Sequence, residues 1–437
     1  MDVSPPRPAP ERAAPGRADV PAREADEAAA RRGLAEHVAV LTALLDAAPG
    51  PGTEALRAPV AAVAAGRVLA ADLRAAHALP PFTNAQMDGF AVRSVDLPGH
   101  LPLAPEVPAG VVPAPLPRGR AAAVMTGAPL PPGADTVVPV ERSSGFDADP
   151  VTLPAWPEGR HVRRAGDDVT AGDVALAAGT RLGPAALGLL AALGAEEVEV
   201  RARPRVLTVT GGREVTAPGM CPGPGQVRDA NAEILAAQLA DLGCDVVARL
   251  HVDDDVPAFT AALDAAVAAH APDLVVTSGG ISAGRFEVVR RALVGGAAEA
   301  GDGGTDVPDA WFGHVAMQPG GPQGLARRPD GTPVVCLPGN PVSTWVSVAV
   351  LLAPALAAAW GTPAPRVGRA RLAEAVTPLP HAVQVRRAML AGPGRVRVLP
   401  GTGSHLLVEA ARADALVPVP PGDAALPAGT EVDVVAV

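Results

Sequence analysis

The spacing of apolar and polar residues divides the chain into segments of different character. Residues 1–30 are rich in Pro, Ala, Arg and Glu without apolar periodicity, which predicts a disordered tail. Apolar residues then recur at helical spacing, and this predicts a helix over Leu34–Ala47. From about 80 to 155 Pro and Gly are frequent and β-like segments such as Ala121–Met125 and Asp135–Pro139 are short. This part is predicted to form a small β-rich module.

The segment from 203 to 361 alternates between strand-like and helix-like patterns. The predicted strands are Arg205–Thr210, Asp245–Leu250, Leu274–Thr277, Val315–Met317 and Val334–Leu337. The predicted helices are Ala232–Leu242, Val256–Ala269, Glu287–Leu293 and Val342–Trp360. Such alternation predicts an α/β domain with a mostly parallel sheet. After Pro363 short strands separated by Gly/Pro turns predict a compact, barrel-like C-terminal β-domain, with strands at Val383–Leu390, Arg395–Leu399 and Glu431–Val435.

Composition limits the classes of function. The 437 residues are too many for one ordinary core, and the net charge of −10 argues against nucleic-acid binding. All the basic residues are arginine, so any role of a lysine must be taken by arginine or be absent. We see no apolar run of about 20 residues and no N-terminal hydrophobic segment, so a cytoplasmic protein without membrane contact is expected. The three cysteines have no metal-binding spacing and are expected to be buried small hydrophobes: Cys221, Cys244 and Cys336.

Glycine-rich turns follow four segments of the α/β domain. They are Thr210-Gly211-Gly212, Ser278-Gly279-Gly280-Ile281-Ser282, Pro319-Gly320-Gly321-Pro322 and Pro338-Gly339-Asn340-Pro341. Ligands of open α/β sheets bind beyond the carboxyl ends of the strands, where glycine lets backbone N–H groups approach and a helix N-terminus favours anions. The hydroxyls of Ser282 and Ser343 are candidate further donors. Any one such turn is commonly only a turn, but four together predict a site for an anionic, phosphate-bearing small molecule. Walker and dinucleotide fingerprints are absent from the sequence.

Several motifs resemble one known family. Residues 80–92 (PPFTNAQMDGFAV) resemble the family's LPxFDNSxMDGYAV signature, residues 125–135 (MTGAPLPPGAD) its TGAxLPxGAD turn, and residues 163–169 (RRAGDDV) its RxxGEDI element. Asp229-Ala230-Asn231, the Ser278–Gly284 loop, the Pro319 turn and Leu337–Ser343 follow in the same order. The chain therefore resembles the molybdopterin molybdenumtransferases (MoeA and the gephyrin E domain) from about residue 33 to its C-terminus.

This resemblance implies an architecture. Family members are elongated homodimers of four domains, with the active cleft between the α/β domain of one subunit and the MDG-bearing region of the other. Carried over, this gives a tail at 1–30, a discontinuous linker domain at 31–80 and 156–202, and a β-rich inserted domain at 81–155. The α/β molybdopterin-binding domain would be 203–361 and the C-terminal β-domain 362–437.

The resemblance also implies the reaction. Molybdate is inserted into adenylylated molybdopterin with Mg²⁺ present, and AMP and molybdenum cofactor are released. Partners would include the pterin adenylyltransferase and recipient molybdoenzymes, with no nucleic acid and no membrane. The adenylyltransferase activity itself is disfavoured, because it needs only the single α/β domain.

Candidate residues follow by matching motifs. Asp88, Thr126 and Asp167 are the catalytic candidates, and Asp88 and Asp273 the candidate Mg²⁺ ligands. The candidate substrate-binding residues are Ser278, Gly279, Gly280, Ser282, Arg285, Pro319, Gly320, Pro322, Pro338, Gly339, Asn340, Pro341 and Ser343. The alternatives are structural: Asp88 as a turn cap, Thr126 as a turn former and Asp273 as a strand cap. Asp253 and Asp254 could hold magnesium or form a solvated acidic loop, and Arg386 could face substrate or solvent.

Three turns depart from the family pattern. TGDE is here Thr210–Glu214 (TGGRE) with the acid displaced, KPGKP is QPGGP without its lysines, and SVGDYD is SAGRFE. One hypothesis is that Arg213 and Arg285 have taken over oxyanion binding, since the guanidinium fork suits phosphate and molybdate oxygens. The alternative is a catalytically drifted paralogue that acts as a cofactor-binding or scaffold protein.

Overall fold

A computed structural model describes residues 31–57, 64–217, 219–281, 288–294 and 310–437. The chain forms two compact units. One is Thr53–Ala202, and the other joins the described residues before Thr53 to Arg203–Val437.

The first helix, α1 (Leu34–Asp46), belongs to the second of these units. Its leucine stripe, Leu41, Leu44 and Leu45, is buried against Leu352 and other residues of a later core helix. The sequence placed this helix with the linker segment 31–80. The structure places it on the α/β domain instead, because its apolar partners are there.

The unit Thr53–Ala202 consists mainly of short strands. They are β1 (Thr53–Arg57), β2 (Leu73–Arg74), β3 (Asn84–Ala85), β4 (Gly89–Val92), β5 (Gly99–Leu101), β6 (Leu103–Val107), β7 (Ala121–Val124), β8 (Thr136–Pro139), β9 (Val151–Leu153), β10 (Val162–Arg163), β11 (Val174–Leu176) and β12 (Glu197–Arg201), with helix α2 (Pro184–Ala192) and 3₁₀ turns at Ser94–Asp96 and Val140–Arg142. A four-stranded sheet of order β6-β7-β4-β8 forms the centre, and β4 is buried throughout. The antiparallel pairs β1–β12 and β2–β11 join segments more than 90 residues apart in sequence.

The α/β domain follows. Its strands are β13 (Arg205–Gly211), β14 (Val215–Thr216), β15 (Val227–Arg228), β16 (Asp245–Val252), β17 (Leu274–Ser278), β18 (Ala310–His314), β19 (Met317–Gln318), β20 (Pro322–Arg327) and β21 (Pro333–Leu337). Its helices are α3 (Asn231–Asp241), α4 (Val256–His270), α5 (Val288–Val294) and α6 (Pro341–Trp360, with a π-helical segment at Val348–Leu352). The sheet order is β16-β13-β17-β21-β20-β18, parallel from β16 to β21 and antiparallel beyond.

Helices cover both faces of this sheet. They are needed because successive residues of a strand point to opposite faces, and these strands are buried on both. Val206 of β13 faces the cluster that holds α1, α3 and α6, whereas its neighbour Leu207 faces the cluster that holds α4 and α5. The predicted α/β class is confirmed. The predicted strand Val315–Met317 is wrong, because β18 ends before it and β19 turns into another sheet. Strand β20 was missed because Pro and Gly interrupt its apolar pattern.

Helix α6 is long and apolar enough to cross a membrane, with a mean hydropathy of 1.9. The sequence analysis predicted this helix as Val342–Trp360 but did not count it as an apolar run of about 20 residues, because Ser343, Thr344 and Ser347 interrupt it. In the structure 72% of the most apolar stretch of this helix is buried inside the protein. It is therefore the central helix of the core.

The C-terminal strands close into a barrel. They are β22 (Val367–Leu372), β23 (Val383–Leu390), β24 (Arg395–Val398), β25 (Ala415–Val419) and β26 (Glu431–Ala436), with helix α7 at Leu407–Arg412. The order is β19-β23-β24-β22-β26-β25, and pairing of β25 with β23 completes the ring. The predicted barrel-like domain is confirmed. The sixth strand of this sheet, β19, pairs with β23 outside the closed ring and is contributed by the α/β segment of the chain.

Truncating α6 in the core tests this packing. Leu352 is 0% exposed, so we expect Leu352→Ala to leave a cavity and to lower the free energy of unfolding by about 2–5 kcal/mol. Denaturant unfolding of both proteins measures the change. Val408→Ala, at a position 66% exposed, is the control and should change stability little. Equal stability of the two variants would contradict the assignment of α6 to the core.

Candidate active site

The sheet has a topological switch point between β13 and β17. From β13 the chain passes through α3 to β16 on one side, and α4 then carries it to β17 on the other side. In open α/β sheets the crevice that binds ligands lies beyond the carboxyl ends of the strands at such a point. The turns after Gly211 and after Ser278 border this crevice.

The end of β13 requires glycine. Gly211 has φ +149°, and a Cβ there would lie 1.9 Å from the carbonyl oxygen of Val252. Gly212 donates its N–H to the same oxygen at 3.1 Å. A Cβ on Gly212 would lie 3.0 Å from both carboxylate oxygens of Glu214. The carboxylate of Glu214, the acid displaced in the sequence motif, therefore lies close to the space that a side chain on residue 212 would enter.

The ends of β17 and β21 approach each other through glycine. Gly279, with φ +98°, donates its N–H to the Leu337 carbonyl at 3.0 Å. A Cβ on Gly339 would lie 3.3 Å from the Gly279 Cα, which leaves little room for a side chain. The structure thus brings the predicted turns at Ser278–Gly280 and Pro338–Pro341 together, with Gly339 and Asn340 exposed at the start of α6.

Buried hydroxyl groups hold these two turns. The Ser278 hydroxyl bonds to the Pro338 carbonyl at 3.1 Å and to the Thr344 hydroxyl at 2.9 Å, and Thr344 donates to the same carbonyl at 2.7 Å. Ser278 and Thr344 are 4% and 0% exposed. Ser278 was predicted to bind substrate, but its hydroxyl ties one loop to another. Ser343, the other predicted donor at this turn, is 4% exposed.

The motif Asp229-Ala230-Asn231, noted in the sequence, forms a polar cluster beside β13. Asp229 accepts the Thr210 hydroxyl at 2.6 Å and the Ala232 N–H at 2.9 Å, so it caps α3. Asn231 donates to the Gly339 carbonyl at 2.7 Å. These bonds tie α3 to the turns on both sides of the switch point.

The turn Pro319–Pro322 lies at the same side of the sheet. Strand β20 is antiparallel to β21, so its first residue, Pro322, lies where β21 ends. The Gly320 carbonyl accepts from Gln323 Nε2 at 2.7 Å, and the same nitrogen bonds to the Ser347 hydroxyl of α6 at 2.8 Å. This turn is thereby fixed to α6. Two predicted site residues, Ser282 and Arg285, lie outside the described residues.

Asp88 and Thr126, in the unit Thr53–Ala202, contact each other. Oδ1 of Asp88 accepts the Thr126 N–H at 2.6 Å and the Thr126 hydroxyl at 2.8 Å. These bonds, the backbone one first, lower the pKa of the exposed Asp88 carboxyl below its ordinary value. Asp88 is therefore an anion at neutral pH, and its position is fixed by Thr126.

The other predicted acids have structural partners. Oδ2 of Asp167 accepts the Arg164 N–H at 2.7 Å and closes its own loop. Asp273 precedes β17 at the amino end, opposite to Ser278, and its Oδ2 accepts the Arg205 N–H at 2.7 Å. Asp273 is therefore away from the crevice, in the strand-capping position. Asp254 accepts the N–H of the exposed Arg213 at 3.4 Å.

Among the described residues no group of three or more His, Cys, Asp or Glu side chains is arranged to hold a metal ion. Burial raises the pKa of the Cys244 and Cys336 thiols to about 12, as expected for small hydrophobes. Cys221 is exposed, so the prediction that it is buried is wrong.

Family models match most of the chain in order. Residues 26–194 match the MoeA N-terminal region (domains I and II), residues 207–358 a probable molybdopterin binding domain, and residues 369–437 the MoeA C-terminal region (domain IV). The switch-point crevice is thus formed within the segment similar to a molybdopterin binding domain.

Relatives and solved structures agree with this match. Molybdopterin molybdenumtransferase 2 of Mycobacterium tuberculosis is 42% identical over 387 residues, covering 85% of this chain and 92% of that protein. The molybdopterin molybdenumtransferase of Synechococcus elongatus is 37% identical over 383 residues, covering 84% and 91%. A molybdopterin biosynthesis moeA protein from Pyrococcus horikoshii is 28% identical with a TM-score of 0.73, covering 93% and 99%. The chain belongs to the molybdopterin molybdenumtransferase (MoeA) family.

Substitution of Gly211 tests the geometry of the β13 turn. We expect Gly211→Ala to displace the turn, because its Cβ would overlap the Val252 carbonyl, and so to lower both the melting temperature and the affinity for AMP. Gly110→Ala is the matched control, since Gly110 has φ +81° with no atom within 4 Å of an added Cβ. If the two variants lose equal stability and neither loses AMP affinity, close approach at β13 is not required.

Substitution of Thr126 tests the state of Asp88. Thr126→Val keeps the backbone N–H but removes the hydroxyl, so we expect the Asp88 pKa to rise toward its ordinary value. A carboxyl NMR titration measures the shift, and Thr260→Val, which loses a bond only to Val256, is the control. An unchanged Asp88 pKa in Thr126→Val would show that the hydroxyl does not stabilise the anion.

Proposed function

We propose that the protein inserts molybdate into adenylylated molybdopterin and releases AMP and molybdenum cofactor. The observation that carries this proposal is the meeting of glycine-rich turns at the carboxyl ends of β13, β17 and β21, at the switch point of the sheet. The motif pair Asp88–Thr126 and the names of the relatives support the same reaction.

Backbone donors at the start of α6 suit the phosphates of such a substrate. Within the part of the chain that the structure describes, the N–H groups of Gly339 and Asn340 have no hydrogen-bond partner, and both residues are exposed. They lie at the positive end of the dipole of α6, which favours an anion. Gly339 and Asn340 would therefore bind and orient a phosphate group, and the hydroxyl bonds beneath them would keep both donors in place.

Asp88 is the proposed catalytic acid–base residue. As a carboxylate held by Thr126 it can orient a water molecule and accept its proton as the water attacks the pyrophosphate. Asp167 is a weaker candidate for this role, because its carboxylate already accepts the Arg164 N–H within its own loop.

Mg²⁺ fits the residues present at Asp88 but not at Asp273. Magnesium is commonly held by one or two carboxylates together with substrate phosphates, so a single protein carboxylate is sufficient. The bonds to Thr126 use Oδ1 of Asp88 and leave Oδ2 for a cation. When bound, the ion would supply charge neutralisation for the phosphates. Mg²⁺ dependence, a homodimer and a cytoplasmic location stay predictions from the resemblance and the composition.

A cofactor-binding or scaffold role is the alternative outcome of the test. It was based on the loss of the acid at residue 212 and of two lysines. The Glu214 carboxylate lies close to Gly212, which weakens the first of these arguments.

Molybdate-dependent AMP release tests the proposal. We expect the purified full-length protein to release AMP from adenylylated molybdopterin with Mg²⁺ and molybdate. Asp88→Asn should lower the rate by roughly 10²-fold or more, because a general base contributes about that factor. Asp147→Asn, at an exposed loop position, is the control and should act as the wild type.

Two outcomes would contradict the proposal. Absence of AMP release beside an active control enzyme would support a binding role instead. Full activity of Asp88→Asn would show that the Asp88 carboxylate takes no part in the reaction.

A further inference from the structure

His251 and Asp229 form a close pair at the carboxyl ends of β13 and β16. Nδ1 of His251 lies 3.6 Å from Oδ2 of Asp229. The Asp229 side chain is only 3% exposed, whereas 26% of the His251 side chain is exposed. A buried carboxylate thus faces one nitrogen of a histidine ring that solvent can reach.

The register of the sheet places His251 beside the crevice. It lies opposite Thr210 of β13, one position before the two strands end at Gly211 and Val252. Residues opposite each other in paired strands have their side chains on the same face of the sheet. The Thr210 hydroxyl donates to the same Asp229 oxygen at 2.6 Å. The histidine, the threonine and the carboxylate therefore meet next to the glycine turn that borders the crevice.

The position of the Asp229 carboxylate is fixed by two donors. Thr210 donates to Oδ2, and the Ala232 N–H donates to Oδ1 at 2.9 Å. A carboxylate beside one nitrogen of an imidazole holds the proton of the neutral ring on that nitrogen. In the neutral His251 ring the proton is therefore on Nδ1, and Nε2 has a lone pair that can accept a hydrogen bond.

Nε2 of His251 has no hydrogen-bond partner within the residues that the structure describes. It lies on the edge of the ring away from Asp229, because the two nitrogens of an imidazole are on opposite edges. Arg249, two residues earlier on the same face of β16, instead pairs with Glu233 of α3 at 2.6 Å. His251 thus presents an acceptor that no described protein group uses.

The distance to the phosphate donors of α6 indicates what this acceptor would bind. In the order β16-β13-β17-β21, three strand spacings, or about 14 Å, separate His251 from the turn at Gly339 and Asn340. A phosphate bound at α6 is therefore out of reach of His251, whereas a heterocycle attached to that phosphate is not. Adenine and pterin both carry an exocyclic amino group, whose N–H is a donor to such a lone pair.

We propose that His251 Nε2 accepts a hydrogen bond from the exocyclic amino group of the heterocycle of the substrate, and that Asp229 positions the imidazole for this contact. His251 is then a specificity-determining residue, which distinguishes an amino-bearing ring from the same ring without that group. The identification of the ligand as a nucleotide or a pterin rests on the proposed function.

Paired titrations with AMP and with purine riboside 5′-monophosphate, which lacks the amino group of adenine, test this inference. Calorimetry with the full-length protein at about pH 8 keeps histidine in its ordinary neutral form. We expect the wild type to bind AMP roughly threefold to tenfold more tightly than the analogue, the effect of one hydrogen bond. His251→Ala should bind both ligands equally, with its affinity for the analogue unchanged.

Two further variants separate this contact from a structural role. Arg249→Gln changes a side chain on the same face of the same strand and should keep the preference for AMP. His251→Gln, whose Oε1 is also an acceptor, should retain part of that preference. A merely structural role of His251 would change the affinities for both ligands together and leave their ratio as in the wild type.

Titration with molybdopterin distinguishes the two rings. If the wild type binds AMP and the analogue equally and His251→Ala weakens only the binding of molybdopterin, the amino group that His251 binds is that of the pterin. If the preference for AMP depends on His251, the amino group is that of adenine.

Affinities of His251→Ala for all three ligands that equal those of the wild type would overturn the inference, and molybdate-dependent AMP release would then leave the proposed function intact. A preference that depends on His251 in a protein that releases no AMP would retain the inference and contradict the proposed reaction. A wild-type protein that binds none of the three ligands would overturn both.

Discussion

The hydrogen bonds that join Ser278, Pro338 and Thr344 fix the geometry on which the crevice depends. They are fully buried, and they hold the end of β17 against the first turn of α6. With this contact in place, Gly279 and Gly339 approach closely, and the exposed Gly339 and Asn340 keep N–H groups that no described residue accepts. A polar bond in the core thus positions the exposed backbone donors. Loss of either hydroxyl would leave a buried carbonyl with fewer donors and the two turns less firmly connected.

Periodicity was sufficient for the α/β class because the strands of the parallel sheet are buried on both faces and the helices between them are amphipathic. Periodicity failed where contacts between residues distant in sequence determine which elements pack together. Helix α1 was grouped with its neighbours in the chain, although its leucines pack against α6. The predicted strand Val315–Met317 includes only the first residue of β19, because no local pattern shows that β19 pairs with β23 in another sheet.

The candidate site shows the same division. Glycine-rich turns after strands predicted the crevice, since the carboxyl ends of parallel strands must share one side of the sheet. Sequence could not distinguish a hydroxyl that binds ligand from one that binds a neighbouring loop, as at Ser278. From the sequence, the displaced acid and the replacement cations could be located only by their positions in the motifs. In space the Glu214 carboxylate lies close to Gly212.

A crystal structure of the protein with bound AMP tests the central claim, that the switch-point crevice is the substrate site, most directly. The account predicts a phosphate within hydrogen-bond distance of the Gly339 and Asn340 N–H groups, beyond the ends of β13 and β17. A nucleotide bound with full occupancy elsewhere, with these two N–H groups unengaged, would contradict it.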